Sequence, residues 1–95
     1  MASPTRAKTL CLITLRSGET ENPFCAVATF RSAYKIALFE QKIATPNLTE
    51  RSAQTMMNRN GRVYLWDKDQ FEYEEAALWS PIGKMAIIQK IPVKK

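Results

Sequence analysis

The stretch TLCLITLR at residues 9–16 constrains the fold most, because it is apolar on both sides of an extended chain. A run of this kind is expected of a central strand, which is buried on both faces. A second apolar run, FCAVATF at residues 24–30, follows the polar, turn-forming residues SGETENP. Two apolar runs joined by such a loop predict an antiparallel hairpin.

The chain contains two cysteines and no histidine. Cys11 and Cys25 both lie in apolar runs, where a free cysteine behaves as a small hydrophobic residue. The simplest hairpin, centred on Thr20, places Cys11 opposite Thr29 and Cys25 opposite Leu15. The two sulfurs are then too far apart for a disulfide, and we predict two buried free thiols. A zinc site would need two further strong ligands.

The pattern changes to helical spacing over residues 31–44. We predict a first helix with Ser32 as its N-cap, which ends at Thr45-Pro46. Its apolar side consists of residues three or four positions apart: Ala33, Ile36, Phe39 (or Glu40) and Ile43.

A second helix is predicted over residues 47–61. Asn47 and Glu50 fit a capping box, and Gly61 fits a C-terminal cap. Its apolar side is supplied by Leu48, Ala53, Met56 and Met57.

Three further strands are predicted in the last third of the chain, at residues 62–67, 71–79 and 84–93. A turn at Lys68-Asp69 pairs the first two, and a loop at residues 80–84 pairs the last two. The first register sets Trp66 opposite Phe71, Tyr64 opposite Tyr73, and Arg62 opposite Glu75. The second sets Trp79 opposite Met85, Ala77 opposite Ile87, Tyr73 opposite Ile91, Phe71 opposite Val93, and Glu74 opposite Lys90. Residues 70–79 also fit a short helix with Asp69 as its N-cap.

These elements predict a small single α+β domain at residues 9–95, after a short basic lead at residues 1–8. Its order is ββααβββ, and both helices pack on one face of an antiparallel sheet. A hydrophobic content of 45% and a charged content of 24% are ordinary for such a domain. The aromatic residues expected to face the helices are Tyr64, Trp66, Phe71, Tyr73 and Trp79.

The stretch DKDQFEYEE at residues 67–75 holds five of the nine acids in the chain. With one base and five acids, this stretch has a net charge of −4. The rest of the chain has 13 bases and four acids, which gives a net charge of +9. Glu74 and Glu75 face basic residues across the predicted strands. Asp67, Asp69 and Glu72 stay unpaired at the hairpin tip, where we predict that they bind a basic partner. A calcium loop would need more ligands and a glycine, so we predict no metal.

The chain lacks the usual residues of an active site. No histidine is present to act as a base, and the glycines form no phosphate-binding motif. Neither cysteine has an evident activating partner. We therefore expect no enzyme, no catalytic residues, no cofactor and no small-molecule substrate.

We expect instead a non-catalytic binding protein that occupies the surface of a protein or ribonucleoprotein partner. A phage or mobile-element inhibitor of a host complex, or an accessory subunit, would fit this expectation. Trp66 and Trp79 are its candidate aromatic anchors. The alternative is a nucleic-acid-binding module with stacking aromatics and a basic surface. That surface would consist of Arg31, Lys35, Lys42, Arg59 and Arg62.

The location of the protein follows from two features of the sequence. The apolar run at residues 10–15 is too short for a signal peptide. No window of the sequence approaches the length of a membrane span. We expect an intracellular, cytoplasmic protein with no membrane partner.

Overall fold

The computed structural model describes residues 8–71 and 84–93. Its elements, in chain order, are β1 (Lys8–Ser17), β2 (Thr20–Val27), α1 (Phe30–Glu40), α2 (Glu50–Asn60), β3 (Arg62–Trp66) and β4 (Lys84–Val93). The strands form one antiparallel sheet in the order β2-β1-β4-β3. The predicted α+β class is therefore confirmed. The strand predicted at residues 71–79 lies outside the described residues, apart from Phe71.

β1 and β2 form the predicted hairpin, but with a tighter turn. Ser17 pairs with Thr20, so the loop contains only Gly18 and Glu19. Gly18 has φ 62°, which suits the first central position of a two-residue hairpin turn. Arg16 and Glu21 face each other beside this turn in a 2.7 Å ion pair. The polar stretch read as a loop is mostly strand, because an exposed edge strand needs no apolar side chains.

This register changes the positions of the cysteines. Cys11 pairs with Val27 and Cys25 with Ile13, so the predicted partners Thr29 and Leu15 are wrong. Both thiols are free, as predicted, but only Cys11 is buried and Cys25 is half-buried. Burial raises the pKa of the Cys11 thiol, and the positive charge of Lys90 only partly opposes this shift.

We expect a thiol reagent at neutral pH to modify Cys25 faster than Cys11. The thiolate is the reactive form, and Cys11 is both buried and harder to ionise. Timed labelling followed by peptide mass spectrometry measures the two rates separately. Unfolding the chain in denaturant serves as the control and should bring the rates together. Equal rates in the folded protein would contradict the expectation.

Helix α1 begins earlier than predicted and turns a different face to the sheet. Its N-cap is Thr29, whose Oγ1 accepts a 3.2 Å hydrogen bond from the Ser32 N–H. Starting the helix at Phe30 buries a stripe made of Phe30, Ala33, Tyr34 and Ala37. The predicted stripe is therefore wrong at Phe39, which is 79% exposed. The helix ends at Glu40, and Lys42 follows in the left-handed conformation with φ 53°.

Helix α2 is capped at its N-terminus by Thr49 and not by Asn47. The Oγ1 atom of Thr49 accepts a 3.1 Å hydrogen bond from the Ser52 N–H. Its C-terminus is at Gly61, as predicted, with φ 84°. Ala53 and Met57 are the buried residues of the helix.

The sheet has a hydrophobic cluster on each of its two faces. On the helix side, the buried strand residues are Cys11, Ile13, Val63, Leu65, Ala86 and Ile88. On the opposite side, Trp66, Met85 and Ile87 form a second cluster with Tyr64 and Phe71 packed against it. The prediction that Tyr64, Trp66 and Phe71 face the helices is therefore wrong. Side chains alternate along β3, and Val63 and Leu65 already occupy the helix face.

The predicted pairing of Trp66 with Phe71 is wrong, because Asn47 bonds to the outer backbone groups of Trp66. The inner edge of β3 pairs with β4. Trp66 pairs with Met85, Tyr64 with Ile87, and Arg62 with Gln89. β1 covers the other edge of β4, so both edges of β4 are already paired at Met85 and Ile87. A pattern of alternating side chains identifies a strand but does not select its neighbour. Tyr73, Glu74, Glu75, Ala77 and Trp79 lie outside the described residues.

Candidate functional site

The first two acids of the acidic stretch bind the connection between α1 and α2 to the end of β3. Asp67 accepts hydrogen bonds from the Ala44 N–H at 3.1 Å and from the Asp69 N–H at 2.9 Å. Asp69 accepts one from the Thr45 hydroxyl at 2.9 Å. The prediction that these carboxylates are unpaired is wrong, although a contact with a partner stays a prediction. Glu72 lies outside the described residues.

We expect Asp67→Ala to lower the free energy of unfolding by about 1–2 kcal/mol, because two backbone N–H groups lose a charged acceptor at a partly exposed site. Asp69→Ala removes one exposed hydroxyl contact and should cost less. Urea denaturation of both variants measures the difference. If Asp67→Ala unfolds at the same urea concentration as the wild type, the Asp67 carboxylate does not stabilise the fold.

The predicted aromatic anchor Trp66 is not on the surface. Its side chain belongs to the second cluster, the residue is 8% exposed, and its indole Nε1 donates a 2.9 Å hydrogen bond to the Phe71 carbonyl. Tyr34 is equally buried, and its hydroxyl donates to the Leu48 carbonyl at 2.6 Å. Trp79 lies outside the described residues.

Phe39 is the most exposed large hydrophobic residue that the structure describes. Phe24 on β2 follows at 46% exposed. The sequence offered one signal for Phe39: the pattern allowed either Phe39 or Glu40 on the buried side of the helix. A helix that begins at Phe30 buries the stripe that ends at Gln41, and this stripe excludes Phe39.

Three of the five predicted cations lie near Phe39. Arg31 and Lys35 are exposed one turn apart on α1, Phe39 follows one turn later, and exposed Lys42 comes just after the C-cap. We call Arg31, Lys35, Phe39 and Lys42 the α1 face. Beside it is a shallow pocket of about 480 Å³ whose apolar walls include Leu38, Phe39, Ile43 and Ala44.

The other two predicted cations, Arg59 and Arg62, lie on either side of Gly61, where α2 ends and β3 begins. The Arg31 guanidinium is 4.0 Å from the Glu50 carboxylate at the opposite end of α2. Arg59 lies nine positions after Glu50 in the helix, which corresponds to roughly 14 Å along its axis. The five cations therefore belong to two groups and do not form a single basic patch.

Other classes of site find no support in the part of the chain that the structure describes. No group of three or more histidine, cysteine, aspartate or glutamate side chains is placed to hold a metal ion in residues 8–71 and 84–93. None of the described helices is long and apolar enough to cross a membrane. Comparison of the chain with protein-family models, curated proteins and solved structures finds no match.

Proposed function

We propose that this chain is a non-catalytic binding protein whose α1 face docks on an acidic surface of a protein partner. The observation that carries the proposal is the position of Phe39. Its side chain is 79% exposed between Lys35 and Lys42, beside an apolar pocket. An exposed phenylalanine beside such a pocket is the arrangement of an interface anchor with a charged rim.

The energetics favour Phe39 as the anchor and the cations as steering groups. Burying a phenylalanine side chain is worth about 1.5–3 kcal/mol. The cations of the α1 face are exposed, so they act mainly on the association rate and on its salt dependence. This division predicts that changes at Phe39 affect affinity, whereas changes at Lys35 and Lys42 affect the rate of association.

Three features support a protein partner over a nucleic acid. The pocket beside Phe39 is lined largely by apolar side chains, which suit an apolar side chain of a protein better than a phosphate. The cations also lie in two groups, whereas a nucleic acid backbone is usually followed by a continuous positive groove. Tyr34 and Trp66, which a nucleic-acid module would use for stacking, are buried.

The test places a photo-crosslinking phenylalanine analogue at position 39 and, in a matched control, at position 24. Both sites carry exposed aromatic side chains, but Phe24 is on β2 and not on the α1 face. Irradiation is carried out in a lysate of the source cells, with and without nuclease. The proposal expects a protein adduct from position 39 that survives nuclease and is absent from position 24.

The purified partner then provides the quantitative test. Phe39→Glu should weaken its binding roughly tenfold or more, and Phe24→Ser should leave it unchanged. Adducts that disappear with nuclease would contradict the proposal. The proposal would also be contradicted if the protein bound generic RNA or DNA with a steep salt dependence and Phe39→Glu did not alter that binding. Such behaviour identifies a nucleic-acid binder.

A further inference from the structure

In the part of the chain that the structure describes, the outer edge of β3 is paired only in part. β3 is at one end of the sheet, and Asn47 closes only part of its outer edge. The Asn47 N–H donates to the Trp66 carbonyl at 3.0 Å, and its Nδ2 donates to the Tyr64 carbonyl at 3.2 Å. Its Oδ1 accepts from the Trp66 N–H at 2.9 Å. Asn47 therefore occupies the position of a residue in an added strand.

Beyond Asn47, this edge is open in the described residues. The Gly61 carbonyl accepts from the Lys90 N–H in β4, so alternation turns both backbone groups of Arg62 outward. The Tyr64 N–H also points outward. The Tyr64 carbonyl accepts a hydrogen bond from Asn47 on the outer edge, and the N–H and C=O of one residue point to the same edge of an antiparallel strand. Within residues 8–71 and 84–93, nothing bonds to the N–H or C=O of Arg62 or to the N–H of Tyr64.

A groove of about 380 Å³ runs along this open edge. α2 forms one wall with Met56, which is 37% exposed, and Leu48 contributes apolar surface next to it. Arg62 and Tyr64 line the strand side, and the Arg62 guanidinium donates a 3.2 Å hydrogen bond to the Tyr64 hydroxyl. The groove therefore combines open backbone groups, an apolar wall and a cation.

The opposite edge of the sheet is protected against strand addition. Pro23 in β2 has no N–H, and the register between β1 and β2 shifts next to it, between Ile13 and Thr14. Proline and bulges are common means of blocking an edge strand. β3 carries neither a proline nor a register shift with β4.

We propose that an extended, acidic segment of another protein adds as a strand to β3 at Arg62 and Tyr64, beside the position of Asn47. Main-chain hydrogen bonds would supply affinity, and alternate side chains would supply specificity. An apolar side chain fits the wall of Met56 and Leu48, and an acidic side chain at the next position meets Arg62. Among the described residues that line the groove, none is acidic. This surface is separate from the α1 face.

Charge argues against a second copy of this chain as the occupant. Two-fold symmetric pairing of β3 edges brings the same residues of both chains together. Arg62 would then lie near Arg62 of the other copy, with Arg59 close by in both chains. Like charges that face each other across paired strands are destabilising.

The test uses a short blocked peptide of alternating valine and glutamate as the probe. Amide chemical shifts of the ¹⁵N-labelled protein are followed up to about 1 mM peptide, the range of a weak isolated strand contact. We expect the largest shifts at the Arg62 and Tyr64 amides and slower hydrogen exchange at Tyr64. A matched peptide with lysine in place of glutamate, and one N-methylated on the edge that faces β3, should each bind roughly tenfold more weakly or worse.

Substitutions separate this surface from the α1 face. Arg62→Glu should reverse the preference toward the lysine peptide, and Met56→Glu should weaken both peptides. Phe39→Glu should change neither result. The inference is overturned by shifts confined to the α1 face, by equal binding of the N-methylated peptide, or by no shift at either amide. A concentration-dependent dimer that blocks the peptide would identify a second copy as the occupant and would also overturn it.

Discussion

Replacing Gln41 with glutamate is expected to lower the free energy of unfolding by about 3 kcal/mol, and replacing it with leucine by about 2 kcal/mol. Gln41 is the buried polar residue at the C-cap of α1, with 8% exposure. Its Nε2 donates to the Met85 carbonyl at 2.8 Å and to the Arg16 carbonyl at 3.0 Å. One amide group thus joins the end of α1 to two neighbouring strands.

The difference between the two substitutions follows from what each leaves beside those carbonyls. Leucine removes the donor and leaves two oxygens without it; at the lower end of the usual cost, about 1 kcal/mol for each oxygen, the loss is about 2 kcal/mol. Glutamate keeps the shape but replaces the donor with a carboxylate, which repels the carbonyl oxygens and pays a desolvation penalty. Glutamate resembles glutamine in shape more closely than leucine does, yet Gln41→Glu is expected to lose more stability than Gln41→Leu.

Gln54 provides the matched control. It is exposed on α2, so Gln54→Glu and Gln54→Leu should each change stability by less than about 0.5 kcal/mol. Urea denaturation of the four variants, with the slope of the transition checked for constancy, gives the comparison. Equal stability of the variants at positions 41 and 54 would show that the Gln41 side chain does not join α1 to the sheet.

Replacing Asn47 with alanine is the second large expected effect, a loss of about 2 kcal/mol. The side chain makes two hydrogen bonds to the β3 backbone, at Tyr64 and at Trp66. Alanine removes both and leaves the Trp66 N–H, which is part-buried, without its acceptor. The Asn47 N–H and the Trp66 carbonyl keep their backbone bond, which limits the loss.

Hydrogen exchange identifies the cause of that loss. Exchange at the Trp66 amide should accelerate more than exchange at amides in β1, because the change is local to the open edge. Asn58→Ala is the matched control, since Asn58 is exposed on α2 and should be close to neutral. Uniform acceleration across the sheet would instead indicate a general loss of stability, and Asn47 would not be a specific edge residue.

Local patterns in the sequence determined the class of the fold and most of its elements. The doubly apolar run at residues 9–16 became β1, which has a strand on each side. Gly61 ended α2, because a left-handed C-cap favours glycine. Both signals act within a few residues, so they can be read without knowing the rest of the structure.

The tertiary structure alone decided which strands pair and which side chains remain exposed. The sequence did not indicate that β3 pairs with β4, because alternating side chains in a strand are compatible with several neighbours. The same applies to Asn47, Asp67 and Gln41, whose partners lie 17 to 44 residues away. Phe39 became exposed only because α1 starts at Phe30 and turns another stripe to the sheet. Local propensity sets the periodicity of an element, whereas its register and rotation are set by packing against distant residues.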